Sequence, residues 1–555
     1  MSKLTVLNSK REFKADYDCV VIGAGFSGLG ILHHLNQLGL NSRVFESGKD
    51  VGGTWYWNRY PGARTDSEFY YYAFTFSKEV REEWKWKERY PSQDEVYQYL
   101  KFVSERLNLR KDITFNTKIE SFIYDETRNL WNVTTEYGQT YTAHYVISAM
   151  GGLSTPTLPN IKGIDNFKGE LYHTSHWPHD GVNLEGKRVG LLGVGASGIQ
   201  ITPVIAPVVK DLFVFQRTPN YVVASSNRAV SDEEMQNIVE NYDEIYEKAT
   251  KHGFAVPFER AQHGAKDVSA EERERIFEEK WADGGFHFML ETFNDLAVNE
   301  ESNAYVCEFI RKKIKETVTD PLKAELLCPK DYPFNAKRPP GGHSYYEAFN
   351  RDNVHLVDVK SQPIEEITEN AVRVGNDLYE IDVLICATGF DAMTGSLKRI
   401  NIRGRDNVLL RDKLNNDGMK TNLGFSINGF PNLIFIYGPL TPYSNVPVAL
   451  QESIGWASKA LKYAIDNDLD IFETTPEAET AWYEEVRKAG EATIMAQGAQ
   501  ANAWFLGANV PGKPQEFSVY MGGADVFFEK CKAVAANNFA TFFDYSGLNV
   551  KDKIA

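Results

Sequence analysis

The chain has 555 residues, too many for one hydrophobic core, so two or three domains are expected. Hydrophobic residues make up 43% and charged residues 25%, the balance of an ordinary globular protein. A net charge of −16 argues against a nucleic-acid or anionic-membrane partner, because binding phosphate needs a basic face.

The N-terminal stretch MSKLTVLNSKREFKADYD lacks the apolar centre of a signal peptide. No run approaches the ~18 apolar residues of a membrane helix. Cys19, Cys307, Cys328, Cys386 and Cys531 are odd in number and form no CxxC, which disfavours a disulfide framework or a zinc site. A cytoplasmic protein is expected.

Residues 18–22, DCVVI, form a short apolar β-type run, and GAGFSG follows at 23–28. Leu29, Ile31, Leu32, Leu35 and Leu38 then recur at helical spacing, and NSRVFES reads as a second strand. Strand, glycine turn, helix and strand together mark a dinucleotide-binding unit. Gly23 permits the tight turn, Gly25 lets backbone N–H groups approach a pyrophosphate, and Gly28 allows close helix–strand packing. Glu46 stands 18 residues after Gly28, where a carboxylate accepts from ribose hydroxyls and repels a 2′-phosphate. FAD or NAD is favoured over NADP here. Residues 52–66, GGTWYWNRYPGARTD, read as an irregular, ligand-approaching loop.

Residues 167–178 read FKGELYHTSHWP. On its own this is an interdomain linker with a packed aromatic. His173, His176 and His179 recur every third residue, but Pro178 interrupts any helix that would align them on a metal. KRVGLLGVGASG then repeats the nucleotide logic: Arg188–Leu192 reads as a strand, with Gly193, Gly195, Ser197 and Gly198 in the turn. Pro203 and Pro207 predict a short or kinked helix after it. The acid is missing at the position matching Glu46, 19 residues past Gly198. Arg217 and Thr218 stand there instead, a cation and a hydroxyl suited to a 2′-phosphate. Residues 231–325 have helical periodicity in places, and a helical insert is expected. A loop, CPKDYPFNAKRPPGGHSYY, follows at 328–346, and strands return in NVHLVDV and YEIDVLICATGFD.

Taken in order, these segments resemble the Baeyer–Villiger monooxygenases, flavoenzymes that insert one oxygen atom beside a ketone carbonyl. Phe167, Gly169, His173, Trp177 and Pro178 fit the family fingerprint FxGxxxHxxxWP. The Gly-Gly-Thr-Trp, Tyr-Pro-Gly and Asp of 52–66 fit its second signature, and the likeness spans roughly residues 15–545. It implies an α/β fold of two Rossmann-like domains, one for FAD and one for NADP. The FAD-binding domain would comprise 1–152 and 390–555, crossing outward at ISAMGG and back at ATGFD. The NADP-binding domain would be 153–389, with the helical insert at about 225–330.

The resemblance also implies roles. Thr54, Trp55 and Tyr72 would line FAD, Lys337 would help Arg217 hold the 2′-phosphate, and Trp504 would fold over NADP from an irregular loop at 504–514. GPLTPYSNVP at 438–447 would lie on the substrate side, and His173 would be conformational. Arg338 and Asp66 would be the catalytic pair. Arg338 would stabilise a C4a-peroxyflavin anion and then the alkoxide of its ketone adduct, without giving up its own proton. The implied cofactors are FAD and NADPH, and the implied partners a small-molecule ketone and O2, with no metal, membrane or nucleic acid, in a monomer or weak homo-oligomer. The alternative is an N- or S-oxygenating flavin monooxygenase, whose fingerprint usually lacks the Trp-Pro ending. A flavin disulfide reductase would need a close cysteine pair, and none is present.

Overall fold

The computed structural model describes residues 11–543. DCVVI lies in the strand Tyr17–Ile22, parallel to Ser42–Phe45 on one side and Thr140–Ser148 on the other. Its residues from Cys19 to Ile22 are all buried, which is why the run is continuously apolar rather than alternating. The sheet continues through Leu130–Thr135, Ile119–Asp125 and Asn401–Arg403 on one flank and Ile113–Thr114 on the other. Leu433–Phe435 also pairs with Thr140–Ser148, so this sheet draws strands from two distant parts of the chain. Gly30 of the helix Phe26–Gln37 lets the 21-residue helix Val446–Asp466 pack close: a Cβ there would fall 2.5 Å from Ile454 Cδ1.

A second sheet has five parallel strands in the order Val354–Asp358, Asp211–Gln216, Arg188–Leu192, Val383–Cys386, Glu170–His173. Its glycine turn leads into the helix Ala196–Ile205, shorter than its counterpart (10 against 12 residues), with Pro203 inside. The fingerprint is more than a linker, because Glu170–His173 is the edge strand of this sheet. ELYH lacks the apolar alternation that would have announced a strand, since its first two residues are exposed. Six α-helices, from Asp232–Glu240 to Pro321–Leu327, intervene between Val223–Ala224 and Gly341–Gly342, two short strands that pair in parallel.

The two connections between the sheets are bonded to each other. Thr157 N donates to Gly389 O at 2.9 Å and Asp391 N to Thr155 O at 2.8 Å. A loop from the first unit also seats on the helix of the second. Tyr60 Oη donates to Gln200 Oε1 at 2.7 Å, and Gln200 Nε2 to Arg64 O at 3.1 Å. Gly62 makes this approach possible: its φ is +85°, and a Cβ would lie 2.3 Å from Gln200 O. Gly62→Ala is therefore expected to cost about 1–3 kcal/mol in backbone strain and overlap. A lower melting temperature and weaker NADPH binding should accompany it. A melting temperature equal to the parent's would show that the loop does not bear on this helix.

Candidate active site

Glycines set the shape of both nucleotide turns. Gly23 and Gly193 each have φ +102°, and a Cβ would lie 2.8 Å from Ala149 O in the first case and 2.6 Å from Ala387 O in the second. At Gly28 a Cβ would lie 1.8 Å from Gly23 O, and at Gly198, 2.1 Å from Gly193 O. Gly25 faces Gly53, whose Cα is 3.3 Å from the position of a Gly25 Cβ. Gly52 N donates to Ala24 O at 3.0 Å, so the first turn and the 52–66 loop are one structure. Gly195 differs: a Cβ there would meet nothing within 4 Å. Neither helix that follows a turn has a side-chain cap at its N-terminus. Uncapped N–H groups at both turns fit a pyrophosphate.

The two strand ends differ in charge. Glu46 is buried, and its carboxylate accepts from Ala24 N and Gly48 N, both at 2.7 Å. Burial pushes its pKa up, and these N–H groups partly offset the shift. Its remaining lone pairs are free to accept from a ribose. At the second strand end, Arg217 is exposed and Thr218 half-buried. Lys337 is half-buried, and its pKa is pushed down to about 8, first by burial and then by the Arg217 charge. Among the described residues neither cation has an ion-pair or hydrogen-bond partner. Two mutually repelling cations without an acid fit a dianionic group such as a 2′-phosphate.

Arg338, the next residue, is paired. Its Nη2 lies 2.6 Å from Asp66 Oδ2, and Asp66 Oδ1 accepts from Gly341 N at 3.2 Å. The Asp66 side chain is 6% exposed and that of Arg338 31%, so the acid is fixed while the cation keeps an open face. Burial pulls the Arg338 pKa down, but Asp66 and Tyr443 outweigh it, and the guanidinium is held charged above its ordinary value. Tyr443 is pushed up to about 12 by burial, with the Arg338 charge opposing.

Aromatic rings close the neighbourhood. Trp55 meets Tyr72 edge-on at 5.7 Å, and Trp504 lies 6.2 Å from Tyr443. Tyr72 is raised by burial, with Trp55 and Arg338 opposing. Tyr60 is pushed up to about 12 by burial, with the Ser197 hydroxyl and the Arg338 charge opposing and Asp66 adding to it. The structure thus joins Asp66 to Arg338, Trp55 to Tyr72 and Trp504 to Tyr443, and brings the Arg217 charge to bear on Lys337. Thr54 opens the short helix Thr54–Trp57 and is exposed.

The fingerprint packs along the 52–66 loop. Arg59 Nη1 donates to Trp177 O at 2.7 Å, His176 lies 5.6 Å from Trp57, and His179 5.0 Å from Tyr56. His173 Nδ1 accepts from Ser175 N at 3.1 Å, which places the proton on Nε2. Burial, then His176, pushes the His173 pKa down to about 4, so the ring is neutral. The sequence did not single out Tyr443 or Asn445. Asn445 is buried, accepts from Ser67 Oγ at 2.9 Å and donates to Tyr71 O at 3.0 Å and Ala255 O at 3.2 Å. Both lie in the 438–447 segment, but only the fold shows what is brought against them.

Residues 17–239 match the family described as flavin-binding monooxygenase-like. The chain is 42% identical over 534 residues to a cyclohexanone 1,2-monooxygenase from Acinetobacter sp., covering 96% of this chain and 97% of that one. It is 38% identical over 536 residues to the phenazine N-monooxygenase PhzNO1 of Lysobacter antibioticus, covering 96% and 98%. Among solved structures it is similar to an OTEMO complex with FAD and NADP, with a TM-score of 0.92 and 41% identity over 96% of this chain and 99% of that one.

Removing one of the unpartnered cations tests the second site. Arg217→Ala should weaken NADPH by about 1.5–3 kcal/mol, the loss of a charged hydrogen bond, and leave NADH almost unchanged. Equal losses for both nucleotides in steady-state titrations would remove Arg217 from the 2′-phosphate.

Proposed function

The chain belongs to the flavin-binding monooxygenase-like family, in its Baeyer–Villiger branch, and from that premise we infer that it converts ketones to esters or lactones with FAD, NADPH and O2. The observation that carries the reading is the Asp66–Arg338 pair, a permanent cation aimed by a buried acid and left open on one face.

When bound, FAD with NADPH and O2 would supply the oxygenating chemistry; the chain's own residues position and stabilise. When a ketone carbon is attacked, negative charge gathers on the carbonyl oxygen. Arg338 stabilises that charge and holds its proton throughout, because a guanidinium does not deprotonate near neutral pH. Asp66 fixes the direction of the guanidinium. Trp55, Tyr72, Tyr443 and Trp504 exclude water, which strengthens every charge interaction inside. Gly23, Gly25 and Gly28 with Glu46, Thr54 and Trp55 would hold FAD. Gly193, Gly195, Ser197 and Gly198 with Arg217, Thr218 and Lys337 would hold NADPH.

We assign FAD binding to residues 1–152 and 390–555 and NADP binding to 153–389, with the helical insert at about 225–330. Residues 1–10 and 544–555 of that assignment lie outside the described ones. No helix among the described residues is long and apolar enough to cross a membrane. The five free, buried cysteines support a cytoplasmic location, and we expect a monomer or weak homo-oligomer.

Arg338→Ala should lower ester formation by about 10²–10³-fold, as loss of a charge-stabilising donor does, while NADPH oxidation persists and yields hydrogen peroxide. Gas chromatography–mass spectrometry of a ketone panel reads the product, and undiminished ester would remove Arg338 from the chemistry. Oxygenation of amines or sulfides with no ketone product in the parent enzyme would favour the heteroatom reading, which the phenazine-oxygenating relative keeps in view.

A further inference from the structure

The segment that presents Asp66 runs on into Glu68, whose side chain is 6% exposed. A carboxylate at that depth needs cationic partners. Arg89 Nη2 donates to Glu68 Oε1 at 3.1 Å, and His287 Nε2 lies 2.9 Å from the same oxygen. On its far side, His287 Nδ1 lies 2.8 Å from Glu291 Oε2. Both ring nitrogens therefore face carboxylates, which only accept, so both nitrogens donate and the ring is an imidazolium.

The surroundings hold that charge. Phe258 stacks on the His287 ring at 4.0 Å. Lys280 pairs with Glu291 at 3.1 Å and with Asp283 at 3.0 Å, and Arg89 Nη1 donates to Asp283 O at 2.8 Å. Glu259 N donates to the other oxygen of Glu291 at 3.2 Å. Burial pulls the His287 pKa down, but Glu291 and Glu68 outweigh it and raise it to about 9. Burial pushes Glu291 up, and His287 reverses that to about 2. Glu68 is likewise held below its ordinary value by His287 and Arg89 against burial.

His287 stands on the helix Gly285–Leu290 of the insert, and other residues of that helix come up to Asp66. Gly285, Phe286 and Met289 line a small cavity together with Asp66 and Gly341. Gly285 has φ +57°, and a Cβ there would lie 2.1 Å from Tyr90 Oη, so the helix is pressed against Tyr90, which lines the same cavity as Asp66.

We propose that His287 is a positioning residue: held between Glu68 and Glu291, it clamps the helical insert to the segment that presents Asp66, and so fixes the direction of Arg338. The reaction it serves rests on the ketone-oxygenating reading. The clamp has a sign in pH. It is complete below the ordinary histidine value and is lost as pH rises through about 9, when one nitrogen becomes an acceptor facing a carboxylate.

The test uses the holoenzyme, His287→Gln and Glu291→Gln across roughly pH 6–10. Two quantities are followed: amide hydrogen exchange of residues 64–72, corrected for intrinsic rates, and ester formed per NADPH oxidised. In the parent enzyme, exchange should rise and coupling fall as pH passes about 9. In His287→Gln, exchange near neutral pH should already be about tenfold faster, with coupling reduced, an unchanged KM for NADPH and no further break. Glu291→Gln should move the parent's break to lower pH, and it serves if the histidine variant fails to fold. Parent-like exchange and the parent's pH break in His287→Gln would overturn the clamp. If no enzyme forms ester while exchange behaves as described, the reaction assignment falls and the clamp stands.

Discussion

The Asp66–Arg338 ion pair joins segments 272 residues apart, and much of the architecture follows from holding it. Burying the Asp66 carboxylate is costly, so its pair with Arg338 persists only if its geometry is over-determined. On the acid side, Thr65 N donates to Pro91 O at 3.0 Å and Ser67 Oγ to Asn445 at 2.9 Å, which brackets Asp66 within its own loop. On the cation side, Pro339 and Pro340 stiffen the chain, and Gly341–Gly342 pairs with Val223–Ala224. Gly341 also donates its N–H to Asp66, so the strand that fixes the arginine also fixes its acid.

The same few residues divide the labour between two ligand sites. A residue before proline is driven to extended backbone, where neighbouring side chains point to opposite sides. Arg338 precedes Pro339 and pairs with Asp66, while Lys337 feels the charge of Arg217. On the proposed reading, one dipeptide thereby serves both the reaction side and the phosphate side. The charge asymmetry of the two turns follows a similar economy. Glu46 is stabilised by backbone N–H groups before any ribose arrives, whereas Arg217 and Lys337 have no such partner among the described residues. A site with its acid already satisfied tolerates being empty. A site with two unpaired cations gains most from a dianion.

Much of this was legible in the chain, and unevenly so. The glycine turns could be read because their backbone demands are local: φ +102° at Gly23 and Gly193 excludes most other residues wherever the fold places them. The places of Glu46, Arg217 and Thr218 at the strand ends could be read from their distance to those turns, which the strand–turn–helix unit sets. Asp66 and Arg338 could not be joined by any spacing; the resemblance supplied that pairing, and the structure gives its geometry. Tyr443 and Asn445 lie in the 438–447 segment, but what they touch, such as Ser67 378 residues from Asn445, has no local signal, and neither does the pairing of His287 with Glu68 219 residues away. The strand Glu170–His173 was missed because an edge strand need not bury both faces, and ELYH does not.

That strand also explains why the fingerprint looks chemical yet carries no obvious chemistry. Its last residue, His173, lies beside Phe390 on the return connection, 6.3 Å between ring centroids. Gly193 of the second turn presses against Ala387 O on that connection. Asn509 Nδ2 donates to Phe390 O at 2.7 Å, and Lys513 Nζ to Asp391 at 2.6 Å and Ala392 O at 2.7 Å, which tie the loop after Trp504 to the same place. The fingerprint, the second turn and the Trp504 loop therefore meet on residues 387–392. A neutral, buried histidine suits such a junction, because it orders backbone without adding a charge that each rearrangement would have to desolvate. The residues of the motif thus serve a shared backbone crossing, while on the proposed reading the chemistry falls to Arg338, set by the acid at Asp66.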